Sequence, residues 1–381
     1  MYINSISMKV YTILFIMSLY LCSCGSKDVG EDPRFFAPDK FKVVNSTPDT
    51  TKVLKLEKLP IEVFGPKMIA VKDSLLVVAT NDRTAYGTVV NLNTYQNILR
   101  FAPNGRGPND FGGLWLMNHF FYNDNGDLIL DAISGNKLKS VNLTKSIREQ
   151  GTFLYESITS DKLYKHPDYF GNTYPITLGK DRYFILQDIS YRDARENKYF
   201  PPKYILKEPE GQYEFSPFPE CVTSQYERNV PYSVYNSKLR IRPDLKKVVE
   251  VMSTMECINI IDIKSKKILA VIDEQGRRFR DFYQTEDLMS LAKGGLYDAD
   301  VSDKYIVALH NDLSILDTYS SPDKLWPAIK IYDWEGNFIA GAKLPKGARI
   351  NQIAFDGEKN IAYFFDAEEQ FYRCNLSELL I

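Results

Sequence analysis

The chain has 381 residues, with 47 Lys and Arg against 49 Asp and Glu. A formal charge of −2 leaves no electrostatic footprint for nucleic acid, and a hydrophobic content of 44% excludes a disordered polymer. Tyr (25) and Phe (22) far outnumber Trp (3) and Met (8), which suits strands, because aromatic rings pack well on pleated surfaces.

In chain order, the first feature is an apolar run from Val10 to Leu21 behind Lys9. It is too short for a permanent membrane span and reads as the core of a signal peptide rather than an uncleaved anchor. The run ends in Leu21-Cys22-Ser23-Cys24-Gly25, which resembles a bacterial lipobox. Cys24 is the expected lipid acceptor; Cys22 fits less well, because Tyr20 would occupy a position that needs a small residue. Each buried methylene contributes about 0.8 kcal/mol, so several acyl chains on Cys24 would hold the protein at a bilayer. The expected organisation is a signal peptide over residues 1–23, a flexible tether over 24–51 and a β domain over 52–381. The tether assignment rests on its Asp, Lys, Pro, Ser and Thr content and its lack of periodicity.

Ile98–Phe101 reads as a strand leading into Pro103-Asn-Gly-Arg-Gly-Pro-Asn-Asp-Phe111. A nucleotide loop is excluded there. No third glycine and helix start receive a pyrophosphate, no Gly-Lys-Ser/Thr follows, Pro108 removes an amide donor, and Asp110 sets a carboxylate beside the supposed anion. The stretch reads as a junction between repeats, with its glycines at positive φ, Phe111 pinning the loop and Arg106 an exposed candidate ligand contact. Next, Phe120–Tyr122, an Asn123–Gly126 turn, Asp127–Leu130, a Ser134–Asn136 turn and Lys137–Leu143 form a strand–turn–strand–turn–strand sentence ending in Asn-Leu.

Residues 164–219 are rich in Tyr, Pro and charge and read as loop insertions. Tyr199, Tyr204, Phe215 and Phe218 are candidate exposed anchors for a sugar face or a protein; packing between repeats beneath long loops is the competing and favoured reading. The sentence recurs in Lys247–Val251 with Cys257–Ile263, and in Val301–Leu309. A short helix is expected over residues 286–292. The clearest text is last: strands at Ala328–Trp334, Phe338–Leu344, Ile350–Phe355, Ile361–Phe365 and Phe371–Leu376, with polar turns between. Such self-similarity marks an all-β repeat fold. A strand within Lys52–Phe64 is expected to close the ring beside the last repeat.

The stretch Gly105-Arg-Gly-Pro-Asn-Asp-Phe111 resembles the G-x-G-P-x-E-F signature of the TolB-like six-bladed propeller lipoproteins of Bacteroidetes, with Asp110 where glutamate is usual. Ile331–Asn337 resembles that family's "fDwdGn" turn, and Phe371–Leu376 its final blade. Lys27-Asp28 and Glu31-Asp32 resemble the acidic export signals of surface lipoproteins from the same phylum. The resemblance implies a six-bladed β-propeller with four-stranded blades at the cell envelope, on the outer membrane, facing the periplasm or the surface. It implies no chemistry.

Candidate chemistry is sparse. No Gly-x-Ser-x-Gly elbow and no calcium loop are present. The histidines are His119, His166 and His310; His310 with Asp312 is the one pair suited to a metal in a central channel, the basis of a rival reading as a metal-dependent hydrolase or lyase. Cys221, Cys257 and Cys374 lack metal-site spacing; one disulfide among them is the alternative, and three buried thiols is the favoured reading. The leading expectation is a lipid-anchored, non-enzymatic display module, without cofactor, that binds a protein, peptide or glycan. A purely structural envelope partner is a third reading.

Overall fold

The computed structural model describes residues 36–159, 173–187, 192–193, 198–199, 203–218, 237–276, 278, 293–314, 317 and 320–380. Three N-terminal strands, β1 (Lys40–Val44), β2 (Asp49–Val53) and β3 (Glu57–Leu59), precede the first blade. Blade 1 comprises β4 (Pro66–Lys72), β5 (Leu75–Thr80), β6 (Ala85–Asn91) and β7 (Gln96–Pro103). Blade 2 comprises β8 (Trp115–Tyr122), β9 (Leu128–Ser134), β10 (Lys137–Asn142) and β11 (Leu154–Thr159), with helix α1 (Leu143–Glu149) before β11. Blade 3 comprises β12 (Thr173–Gly179), β13 (Arg182–Gln187), β16 (Lys203–Glu208) and β17 (Gly211–Phe215); the short pair β14 (Arg192–Asp193) and β15 (Lys198–Tyr199) is inserted within it. Blade 4 comprises β18 (Ser237–Ile241), β19 (Lys247–Met252), β20 (Cys257–Asp262) and β21 (Lys267–Asp273). Blade 5 comprises β22 (Lys293–Val301), β23 (Tyr305–Ser314), β24 (Ala328–Asp333) and β25 (Phe338–Lys343). Blade 6 comprises β26 (Ile350–Asp356), β27 (Ile361–Asp366) and β28 (Phe371–Asn375), completed by β3. The chain is a six-bladed β-propeller of four-stranded blades.

Blades pack face to face, so a middle strand is covered on both sides and reads as a continuous apolar run. Leu75–Thr80 and Leu128–Ser134 are buried almost throughout, whereas the outer strand Gly211–Phe215 is exposed over most of its length. The core is therefore a set of apolar layers between neighbouring blades. Phe101, Phe111 and Leu130 fill the layer between blades 1 and 2, and Val307, Ile353 and Phe364 fill the one between blades 5 and 6.

A local signature repeats at the end of the third strand. Asn91-Leu92, Asn142-Leu143, Asp262-Ile263, Asp333-Trp334 and Asn375-Leu376 each place a buried apolar residue after an Asn or Asp. That Asn or Asp side chain accepts a backbone N–H two or three residues on: Asn93, Lys145, Ser265, Glu335 and Ser377 are the donors, at 2.7–3.0 Å. The polar residue caps the turn that the chain makes there, and the apolar one locks the turn into the interblade layer. In blade 2 the same device caps α1, a helix that the strand pattern did not foreshadow.

The ring closes as expected: β3 pairs antiparallel with β28, Leu59 opposite Phe371. The tether expected over 24–51 needs correction from residue 40 onward. There β1 lies parallel on β21 and β2 parallel on β25, so blades 4 and 5 each gain a fifth strand. A polar, non-periodic sequence conceals such strands, because an added outer strand has little apolar surface to bury. What holds it is the open backbone edge of the blade. Ser46 fastens the strap between the two blades: its N–H and hydroxyl donate to Asp273, and Lys330 donates to the same hydroxyl at 3.2 Å. The compact unit accordingly spans Asp32–Ile381. Residues 1–23, Cys24, His166, Cys221 and the expected helix over 286–292 lie outside the described residues.

Candidate functional site at the channel mouth

The first strand of each blade faces the axis. β4 packs on β8, β26 on β4, β22 on β26 and β18 on β22, while β8 also reaches β18. The hairpins joining first to second strands share one face of the disc. On that face a depression of about 380 Å³ opens at the axis, lined by residues of blades 1, 2, 4, 5 and 6, among them Asp73, Asn118, His119, Asp300, Ser302 and Glu358. Its size falls within the range of pockets that take small ligands, ~300–1,000 Å³.

Its rim is tied across blades. Lys72 of blade 1 pairs with Glu358 of blade 6 at 3.3 Å, and Lys359 donates to the Asp73 carbonyl at 2.8 Å. The Tyr122 hydroxyl of blade 2 donates to the Asp73 carboxylate at 2.7 Å, and that bond, with burial, pushes the phenol up to about 12.

Asp300, on one wall, belongs to a buried charged cluster. Arg240 of β18 donates to Asp298 at 3.2 Å and lies 3.8 Å from Asp300. Asp298 and Asp300, two residues apart on β22, accept the Ile353 and Phe355 N–H groups of blade 6 at 3.0 and 2.8 Å, so the carboxylates join two blades. Burial raises the Asp300 carboxyl to about 6 against the opposing pull of Arg240.

The other wall is a bulge in β8. Leu116 pairs with Ala132 and Phe120 with Leu130, so Met117, Asn118 and His119 stand opposite the single residue Asp131. Asn118 takes the left-handed conformation, φ 51°, which asparagine tolerates. The His119 ring, 3% exposed, is bound through Nδ1 to Asp131 at 2.9 Å. Asp131 also accepts the Ser140 hydroxyl at 2.6 Å and the Thr177 N–H at 3.0 Å. Burial works against the Asp131 charge, but these bonds outweigh it and hold the carboxyl below its ordinary range. His119 Nε2 and both amide atoms of Asn118 have no hydrogen-bond partner and are shielded from solvent.

The residues anticipated from sequence lie elsewhere. Arg106 is exposed, in the connection from β7 to β8 on the opposite face. Phe64, just before β4, and Trp115, at the start of β8, are 80% and 56% exposed on that same face. The junction reading of residues 101–111 holds: Phe111 is buried against blade 2, and Lys139 lies 4.4 Å over its ring. The glycines do a different job from the one expected. Gly105 and Gly107 are not among the positive-φ glycines; they make room for Asp110, whose carboxylate accepts the Gly107 N–H at 2.7 Å. A Cβ on Gly105 would collide with Asp110 Oδ2.

Tyr204 and Phe218 are buried and cannot serve as surface anchors. Tyr204 packs against Phe184 and Phe215, its hydroxyl on Glu250, and Phe218 stacks on Phe36 at 5.2 Å. Tyr199 lies in β15, and its side chain is outside the described residues. His310 is on β23, one strand out from the axis, with Nε2 2.8 Å from Glu256, and the Asp312 side chain is outside the described residues. Among the described residues no group of three His, Cys, Asp or Glu is placed to hold a metal. Cys257 and Cys374 are buried and belong to no disulfide.

No family model matches the chain, and no curated protein matches it. Among solved structures, a Bacteroides fragilis protein classed as exported aligns with 88% of this chain and 98% of its own, at 9% identity and a TM-score of 0.48. A member of the DUF4221 family from Bacteroides vulgatus aligns with 85% of this chain and 98% of its own, at 9% identity and a TM-score of 0.49. Likenesses of this degree carry no functional argument.

Proposed function

We propose that this chain is an envelope protein, anchored by lipid on Cys24, whose propeller is a binding module for a glycan or peptide seated at the channel mouth. Membership of the TolB-like lipoproteins and an outer-membrane location belong to the same reading, and rest on the lipobox and on Gly105–Phe111. The observation that carries the binding role is the convergence of five blades on one polar depression, with hydrogen-bonding atoms that lack partners buried in two of its lining residues, Asn118 and His119. Buried polar groups are ordinarily satisfied, so unmet ones in a pocket wall are a mark of ligand recognition.

The test is an array of glycans and peptides probed with the purified full-length chain and with Asp303→Trp, an exposed rim substitution that fills the mouth. Binding that disappears in the variant supports the reading; no binding, or binding untouched by the block, overturns it. Anchoring is tested separately by incorporation of labelled fatty acid, expected in the intact chain and absent in Cys24→Ala.

A further inference from the structure

We infer that the Asn118–His119 bulge is the recognition element of this site, and that it reads a pair of neighbouring hydroxyl groups on a sugar. The inference rests on the channel-mouth reading and narrows its ligand to a glycan.

The three unpartnered atoms define the complement. The Asn118 amide offers one acceptor, Oδ1, and one donor group, Nδ2. Asp131 engages His119 through Nδ1, which leaves Nε2 as the third unmet atom. A phosphate or carboxylate brings acceptors only; it would face Asn118 Oδ1 and the Asp300 carboxylate in the same depression. An ammonium brings donors only and leaves Nδ2 unmet. A hydroxyl both donates and accepts, so two adjacent hydroxyls can meet all three atoms.

The position is built rather than incidental. Asp131, buried completely and held by Ser140 and Thr177, fixes the His119 ring, which stacks at 5.5 Å on Phe121. The atoms are shielded, so a ligand engages them by turning the Asn118 side chain outward, which uncovers Nε2 of the His119 ring that Asp131 holds in place. Residues 117–119 make no ladder pairs with β9, so this movement breaks no strand pairing. Nothing else in the core ties the Asn118 side-chain amide, since neither of its polar atoms is bonded.

The test uses Asn118→Gly, which keeps the left-handed backbone and deletes the amide, and Asn118→Asp, which keeps shape but converts the donor to an acceptor. Calorimetric titration of the full-length chain with glycans from the array is expected to show at least tenfold weaker binding for both variants. The same loss is expected for wild type with deoxy analogues that lack either hydroxyl of the pair, at unchanged thermal midpoint. Equal binding by wild type and Asn118→Gly, with Asp303→Trp still blocking, overturns the role of the bulge and leaves the mouth as the site. Binding of peptides alone overturns the sugar assignment. A crystal structure with an ordered water bridging Asn118 and His119, unmoved by bound sugar, overturns recognition by these atoms. No binding of any kind overturns the channel-mouth reading beneath it.

Discussion

The Asp110 carboxylate fills the space that a side chain on Gly105 would need. Gly105→Ala is therefore expected to strain the blade 1–2 junction and destabilise the protein by about 1–3 kcal/mol, as overpacked sites do. Adding Asp110→Ala should restore part of the loss in urea unfolding. A Gly105→Ala variant as stable as wild type would show that the loop yields freely. Asp300 is the second residue of consequence. Its folded-state value of about 6 stands above the ordinary 3.8, because burial penalises the charge more than Arg240 supports it. The sign follows: the folded chain binds this proton more tightly than the unfolded one, so stability from this group is present below about pH 4 and is lost as pH rises to about 6. Asp300→Asn, which can still accept the Phe355 N–H, should remove that downward slope from the pH profile of the denaturant midpoint. An identical slope in both proteins would assign it to other carboxyls, such as Glu250, which burial also raises.

At the level of elements, the strap β1–β2 depends on one buried polar knot. Lys330 and Asp273 are 3.7 Å apart with side chains 4% and 9% exposed, and Ser46 bonds both. Ser46→Ala leaves two buried charged groups short of a partner, which costs about 1–3 kcal/mol. Hydrogen exchange should show the loss first in residues 40–53 if the knot holds the strap, and evenly across blades 4 and 5 if it does not. The turns behave differently, because their chemistry is local. Asn123, Asp333 and Asp366 each accept backbone N–H groups two and four residues on, and each of these turns stands where the sequence places it. A turn residue bonds its own neighbours, so it is legible without the fold. The two strap strands were not legible, because their partners lie more than 200 residues away and leave no periodic trace.

For the molecule as a whole, closure is the decisive contact. β3 contributes buried Leu59 and the Arg373–Glu57 pair at 2.8 Å to blade 6. A chain beginning at Lys55 loses the strap but keeps the closing strand, and should unfold in one cooperative transition at a lowered midpoint. A chain beginning at Pro60 exposes the edge of β28 and should aggregate or unfold without cooperativity. Equal behaviour of the two would place ring stability in the strap.

The repeat, the turns, the junction at Gly105–Phe111 and the closing strand were determined by the sequence alone, because each rests on local backbone chemistry or on two-residue alternation between covered and open faces. The site was decided only by tertiary structure. His119 reads in the chain as a residue beside an apolar strand, and Asn118 carries no signal at all; a bulge in β8 places both along the depression, where blades distant in sequence meet. The aromatic insertion shows the converse. Tyr204, Phe215 and Phe218 have the composition of a binding surface, but the ring needs them between blades 3 and 4 and beneath Phe36, where burial of large rings stabilises more than their exposure could.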